Sequence, residues 1–444
     1  MKRKKNAYSV NGFVYLLLLG VLLACGCKSK TNKNTAIRAA LAQQCMSTLT
    51  SVIVRDVVAP PVASRMYAYA SLAYYEGIRL SEAKAASLTQ QFRLFKDSPK
   101  AAPNGQYDYS IVALEAFQLV ATQLVFSKDS IQYFYATTAA KLHEGVERDV
   151  VEASISFGQK IGQHILQRST IDHYKETRGM PRYTVFRETG KWQPTAPDYV
   201  DALEPYWGMI APLLLDSGAA IQPPPPPAFN MQDKSGVYYK AVLQTYQVVK
   251  QITPAQDSIA RFWDDNAFVT EHKGHLVYAT KKTTPCGHWM SIAGILSKEK
   301  KYNDIQTAYT FAITASAMFD GFISCWAEKY NSRMIRPITV IKEHIDEAWW
   351  PILQTPPFPE YTSGHSVISA AAATVLTKIV GPNFAFTDTT EIPYLQMQRS
   401  FSSIEAASDE AGISRLYGGI HYMHAIAAGK KQGQQIGAKF CNLH

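Results

Sequence analysis

The chain has 444 residues, of which 47% are hydrophobic and 18% charged. That balance excludes a generally disordered or fibrous chain and leaves enough apolar material for a core. The formal charge is +9, but Lys2, Arg3, Lys4 and Lys5 supply four of it, leaving +5. With no basic run elsewhere, a nucleic-acid partner is excluded.

Residues 1–24 read as a lipoprotein signal peptide. The basic cluster precedes an apolar run, Phe13 to Leu23, shorter than the roughly 20 residues a permanent membrane span needs. It ends in Leu22-Leu23-Ala24-Cys25-Gly26, which resembles a bacterial lipobox with Cys25 as the lipidated residue. The expectation is an exported protein, lipid-anchored at Cys25 on the periplasmic or cell-surface side of a bacterial membrane. An ordinary cleaved signal or a short uncleaved anchor is the plainer alternative. Residues 25–36 form a polar, flexible tether. The cysteines are Cys25, Cys27, Cys45, Cys286, Cys325 and Cys441. Export permits disulfides, but lipid on Cys25 leaves an odd number, so at least one stays free.

From 37 to 176 apolar residues recur every three or four positions, the period of amphipathic helices. Helices are expected over 62–75, started by Pro60-Pro61, and over 108–126, 130–147 and 150–167. Residues 177–232 break the pattern. The five prolines Pro223 to Pro227 cannot lie inside a helix and form an extended crossing segment. Helical periodicity resumes near Ser235 and continues to the end. β-branched stretches are too short and scattered to build a sheet. The fold class is all-α, divided into an N-terminal helical region (37–232) and a C-terminal helical domain (233–444).

Three segments of the C-terminal domain carry the chemistry: Lys329-Tyr-Asn-Ser-Arg-Met-Ile-Arg336-Pro337, Pro359-Glu-Tyr-Thr-Ser363-Gly364-His365, and Ser414-Arg415-Leu-Tyr-Gly-Gly-Ile-His421. Lys329, Arg336 and Arg415 are three cations, two with the planar fork that suits tetrahedral oxyanions. Ser363 and Gly364 precede an expected helix over 366–376, so a hydroxyl and free N–H groups meet at a helix N-terminus, an anion cradle. His365 and His421 can supply one nucleophile and one general acid. The set describes a site for phosphate, vanadate or a similar ion.

These segments resemble the three-part signature of the vanadium-dependent haloperoxidase and type 2 phosphatidic acid phosphatase superfamily: Lys-x6-Arg-Pro, Pro-Ser-Gly-His and Ser-Arg-x5-His. An accidental match at the seven positions has a chance of about 10⁻⁹ per frame at average residue usage. Ala59–Arg65, Gly190–Pro194, Leu203–Gly208 and Thr284–Trp289 are similar to segments of the soluble bacterial haloperoxidase-like branch. The resemblance implies two packed helical bundles. It implies His421 as the axial ligand of vanadate, or as the nucleophile that forms a phosphohistidine. It implies His365 as acid–base, with Lys329, Arg336, Ser363, Gly364 and Arg415 around the oxyanion.

Two positions depart from the family pattern. Thr362 replaces the proline before Ser-Gly-His, a change in loop rigidity. Ala425 stands where many members carry an Asp that orients the last histidine, and a histidine without that partner is a weaker base. Asp264, Asp265 and Glu405 are the candidate substitutes. Phe358 and His288 are pocket candidates, and Phe358 is similar to chloroperoxidase-type members. His424 reads as a packing histidine, and His272 with His275 is weak evidence for a metal pair. Ala425, Gly429, Gly433 and Gly437 form a small-residue stripe expected to permit close helix packing.

The leading reading is a vanadium-haloperoxidase-like enzyme oxidising halide with hydrogen peroxide at vanadate bound to His421. The alternatives are a phosphomonoesterase acting on a phosphate ester through His421, without a cofactor, and a non-catalytic oxyanion-binding lipoprotein suggested by Ala425.

Overall fold

A computed structural model describes residues 35–185, 188–273 and 276–443, with side chains left aside over 268–280. The signal peptide, Cys25 and His275 lie outside the described residues, as does the His272 side chain. With 59% of the residues helical and two small two-stranded pairs, the fold is all-α.

The N-terminal half holds α1 (Leu41–Arg55), α2 (Pro60–Ile78), α3 (Tyr109–Leu124), α4 (Lys128–His143), α5 (Arg148–Ser169) and the short α6 (Tyr174–Arg178). α2 starts where Pro60-Pro61 suit the first helical turn, and it is buried on every face from Pro61 to Ile78. Asp108 caps α3 by accepting from the Ser110 and Ile111 N–H groups. Between Arg178 and Val237 the described residues contain only a three-residue helical turn, Trp207–Met209, as the prolines require.

The second half begins with α7 (Val237–Lys250) and α8 (Pro254–Phe262), then a hairpin of β1 (Phe268–Lys273) and β2 (Leu276–Lys281). This hairpin was not expected. Val269, Thr270, Val277 and Thr280 are β-branched, and the adjacent strand supplies the ladder that a scan for sheet-sized patterns overlooks. α9 (Pro285–Glu299), α10 (Asp304–Ser332), α11 (Pro337–His344) and α12 (Gly364–Val380) follow. After them come β3 (Phe386–Asp388), α13 (Ile392–Leu395), β4 (Arg399–Phe401), α14 (Ile404–Tyr417) and α15 (Met423–Phe440).

α10 is the central rod. An Asn303–Gln306 capping box starts it, and the segment Thr310–Trp326 is buried throughout. It packs on α2 of the first half and on α12 of the second, and the largest core cluster runs from Leu41 to Phe440. α15 lies along α12. A Cβ on Gly433 would meet the Val367 carbonyl oxygen at 2.2 Å, and one on Gly429 the Ser363 carbonyl oxygen at 2.8 Å. The stripe serves packing, and that packing places the start of α12. Among the described residues Cys45, Cys286, Cys325 and Cys441 are all free.

Candidate active site

The three signature segments meet where α10 ends and α11, α12 and α15 begin. Lys329 sits in the last turn of α10 and is fully buried. Its Nζ donates to the carbonyls of Pro359 (2.9 Å), Glu360 (3.0 Å) and Thr362 (2.6 Å). All three protons are used, so Lys329 staples the loop and offers the site its charge. Burial lowers its pKa to about 7. The Phe358 ring packs 5.1 Å from Lys329 Nζ and 5.0 Å from Arg336 Cζ, a cation–π wall over both.

Arg336 precedes α11 at its N-cap and is buried. It donates from Nε to the Phe358 carbonyl (2.8 Å) and from Nη1 to the Ile420 carbonyl (2.8 Å). Arg336 Nη1 also lies 3.2 Å from His421 Nε2. Arg415 closes α14, bonding the Trp263 carbonyl through Nη1 with Nη2 3.8 Å from Asp264. Ser363 caps α12 by accepting from the Ser366 N–H and hydroxyl. The N–H groups of Gly364 and His365 are thus the first of α12, where helical partners are lacking.

His421 resolves the question of the missing carboxylate. Its Nδ1 lies 2.7 Å from Glu360 Oε1, which also accepts from the Tyr422 N–H at 3.0 Å. None of the three substitutes expected from the sequence takes this place. Asp264 pairs with Lys282 at 3.1 Å, Asp265 faces His288 and His365, and Glu405 is exposed. The carboxylate comes from the loop before α12, in the Pro359-Glu360 dipeptide beside the signature, and that adjacency was the available signal. Burial raises the Glu360 pKa to about 7, and in its ionised form Glu360 only accepts, so Nδ1 carries the proton and Nε2 turns its lone pair toward Arg336. Burial first, then the charges of Arg336, Lys329 and Arg415, hold the His421 pKa well below the usual histidine value. The ring is neutral, as a ligand or nucleophile must be.

His365 Nε2 lies 3.7 Å from Asp265 Oδ2, and the other oxygen of Asp265 lies 2.7 Å from His288 Nδ1. His288 is fully buried, meets Asp388 through Nε2 at 2.8 Å and stacks on Trp263 at 4.4 Å. Both its nitrogens face carboxylates, so the ring is doubly protonated, and despite burial its pKa is raised well above normal. His288 therefore stands behind Asp265, one residue removed from the site. Thr362 donates to Gln432 of α15 (2.7 Å), a bond that proline could not make. His424 stacks on Tyr422 at 5.4 Å, a packing position.

Two buried donor atoms here have no partner among the described residues, Arg336 Nη2 and Arg415 Nε, and the buried His365 Nε2 has none either. Buried donors are rarely left so, and both belong to arginines whose charges act on His421. A tetrahedral or trigonal oxyanion beside His421 would satisfy them, so the residues fit vanadate.

A solved bacterial vanadium-dependent iodoperoxidase is 39% identical to this protein, with a TM-score of 0.84 over 91% of this chain and 97% of its own. The chain belongs to the vanadium-dependent haloperoxidase family. Residues 309–444 of this haloperoxidase-family chain match the profile of the VCPO second helical-bundle domain, a span that contains all seven signature positions. Holo- and apo-forms of a bacterial vanadium-dependent chloroperoxidase are each 15% identical with a TM-score of 0.65. They cover 87% and 86% of this chain, and 93% and 94% of their own, and show the shared haloperoxidase fold. A sequence comparison with curated proteins finds no match.

Proposed function

We propose that the protein oxidises iodide with hydrogen peroxide at a vanadate ligated by His421. The observation that carries the proposal is the pair of unpartnered buried arginine donors beside a neutral histidine whose Nε2 carries its lone pair. Iodide is taken from the 39% identical iodoperoxidase. In the net reaction halide gives two electrons to peroxide, and one proton is consumed as hypohalous acid and water form.

When bound, vanadate supplies a Lewis-acidic centre that activates peroxide. The chain's own residues do the rest. Glu360 holds the His421 tautomer. Arg336, Arg415 and the first N–H groups of α12 would hold the oxyanion's negative charge, with the buried Lys329 charge added to theirs. Phe358 shields the two cations. His365, neutral because burial and the Arg415 charge depress its pKa, moves the proton through Nε2, with Asp265 behind it.

The test uses mature protein divided into vanadate-stripped and vanadate-loaded portions. Each is assayed for triiodide formation and dione bromination with peroxide, and for aryl phosphate hydrolysis. Triiodide only in the loaded portion is expected. His365→Ala should retain vanadate and lose about 10²–10⁴-fold in rate. Hydrolysis confined to the stripped portion and abolished in His421→Ala would replace the proposal with phosphatase chemistry. The non-catalytic reading rested on Ala425, and Glu360 removes its motive.

Export and lipid anchoring through Cys25 complete the proposal, supported by the basic cluster, the short apolar run and the lipobox. Mass spectrometry of the membrane fraction should find a diacylated N-terminal Cys25. An unmodified mature terminus would overturn the anchor.

A further inference from the structure

Four ionisable side chains cluster behind the active site. Asp265 follows α8, His288 sits near the start of α9, and Asp388 and Glu391 flank the turn between β3 and α13. All four are buried, His288 and Asp388 completely and Glu391 to 1% exposure. Three carboxylates therefore face one imidazole. Lys282 and Arg415 are close by, but their nitrogens are directed at Asp264, at 3.1 and 3.8 Å.

His288 satisfies two of the three carboxylates. Asp265 lies 2.7 Å from its Nδ1 and Asp388 lies 2.8 Å from its Nε2. Glu391 is left over. Its Oε1 has no hydrogen-bond partner among the described residues, yet it lies 3.8 Å from the same Nδ1. Burying a carboxylate oxygen without a donor is costly, and a cation removes that cost.

The geometry suits a metal ion. One oxygen each of Asp265 and Glu391 and the Nδ1 of His288 all lie within 4.8 Å of one another. A tetrahedral zinc site with bonds of about 2.1 Å places its ligand atoms about 3.4 Å apart. The separations of 2.7 and 3.8 Å from Nδ1 bracket that edge, so small shifts suffice. Asp388 accepts from the other nitrogen, as the carboxylate behind a ligating imidazole does. Its own place is fixed, because Oδ1 accepts from the Thr390 N–H at 2.9 Å. Thr283 and Thr390, the neighbour of Glu391, line a cavity of about 820 Å³ that opens a way in beside the cluster.

We infer that Asp265, His288 and Glu391 bind a divalent transition-metal cation, zinc by its mixed nitrogen and oxygen ligands, with Asp388 orienting the ring. The imidazole disfavours calcium and magnesium, which take oxygen ligands. In the metal-free protein a proton occupies Nδ1. It leaves to solvent as the cation arrives, and Nε2 keeps its proton on Asp388. The cation ties together the segment after α8, α9 and the β3–α13 turn. It also fixes Asp265, whose Oδ2 lies 3.7 Å from His365 Nε2. The inference does not depend on the reaction proposed above.

The test uses the mature protein, freed of vanadate and of metal by chelation, with zinc as the probe. Calorimetry should show one saturable site for zinc and none for calcium. Cobalt in its place should give the visible absorption of a tetrahedral site. Glu391→Gln keeps both ion pairs of His288, so it should fold as the parent does. It should bind zinc at least about tenfold more weakly, the lower end of what removing a metal site's supporting group costs. Excess zinc should raise the melting temperature of the parent and not that of Glu391→Gln. Glu405→Gln and His421→Ala should bind zinc as the parent does, which separates this site from the oxyanion site. Absence of zinc binding overturns the inference, as does equal affinity in Glu391→Gln. Loss of binding in His421→Ala would assign the cation to the active site and overturn it equally.

Discussion

Glu360 holds the imidazole of His421 across 61 positions of chain, its Oε1 2.7 Å from Nδ1. The bond decides which nitrogen is free. It also replaces the Asp that Ala425 lacks, from the opposite side of the ring's neighbourhood in sequence.

Glu360→Gln should therefore weaken vanadate binding by about 10–100-fold, the usual cost of removing a ligand's orienting partner. Titration of the stripped enzyme with vanadate measures it. Glu405→Gln is the control and should match the parent protein. Equal affinities for Glu360→Gln and the parent would show that His421 needs no carboxylate.

Lys329 makes vanadate affinity depend on pH. Burial brings its pKa to about 7 in the free protein. Above that value the side chain is neutral, and an incoming anion must draw a proton onto it. Affinity should fall by up to tenfold per pH unit on the alkaline side. Calorimetry at pH 8.5 in two buffers of different ionisation enthalpy should report proton uptake, reduced by close to one proton in Lys329→Met. Uptake identical in the two proteins would assign the alkaline loss to another group.

His288 stabilises through charge. It lies between Asp265 (2.7 Å) and Asp388 (2.8 Å), and all three are buried. His288→Leu leaves two buried carboxylates without their cation and should cost about 3–5 kcal/mol in chemical unfolding. The folded pKa is raised, so this stabilisation is complete below the unfolded value near 6.5 and is lost as pH rises through the folded one. The deficit of His288→Leu against the parent should accordingly be larger at pH 6 than at strongly alkaline pH. A pH-independent deficit would mean that packing on Trp263 is the whole contribution.

Gly433 is where α12 and α15 come closest. A methyl there would sit 2.2 Å from the Val367 carbonyl oxygen and 2.9 Å from Ala370 Cβ, so the helices must separate. Gly433→Ala should destabilise by about 1–3 kcal/mol despite alanine's better helix propensity. It should also weaken vanadate binding, because Ser363 and Gly364 ride on the start of α12. Lys430→Ala, on the exposed side, should change neither.

Much of this protein was legible in the chain itself. Helical periodicity placed α2, α3, α5 and α12 within a few residues of their observed bounds, because their apolar faces repeat with the turn of a helix and prolines or caps mark their starts. The seven signature positions were legible for a different reason: each segment is short, and its spacing is set by one or two turns of local structure. The tertiary structure decided what depends on distant partners. The pairing of Glu360 with His421, of Asp265 with His288, and of Thr362 with Gln432 spans 61, 23 and 70 residues. A carboxylate's residue type says that it can hold an imidazole, but only the packing of α10, α12 and α15 says which one it reaches. The same holds for charge. Lys329, read from sequence as a plain cation, has a pKa near neutrality because the fold removes it from water and turns its protons to the carbonyls of a loop.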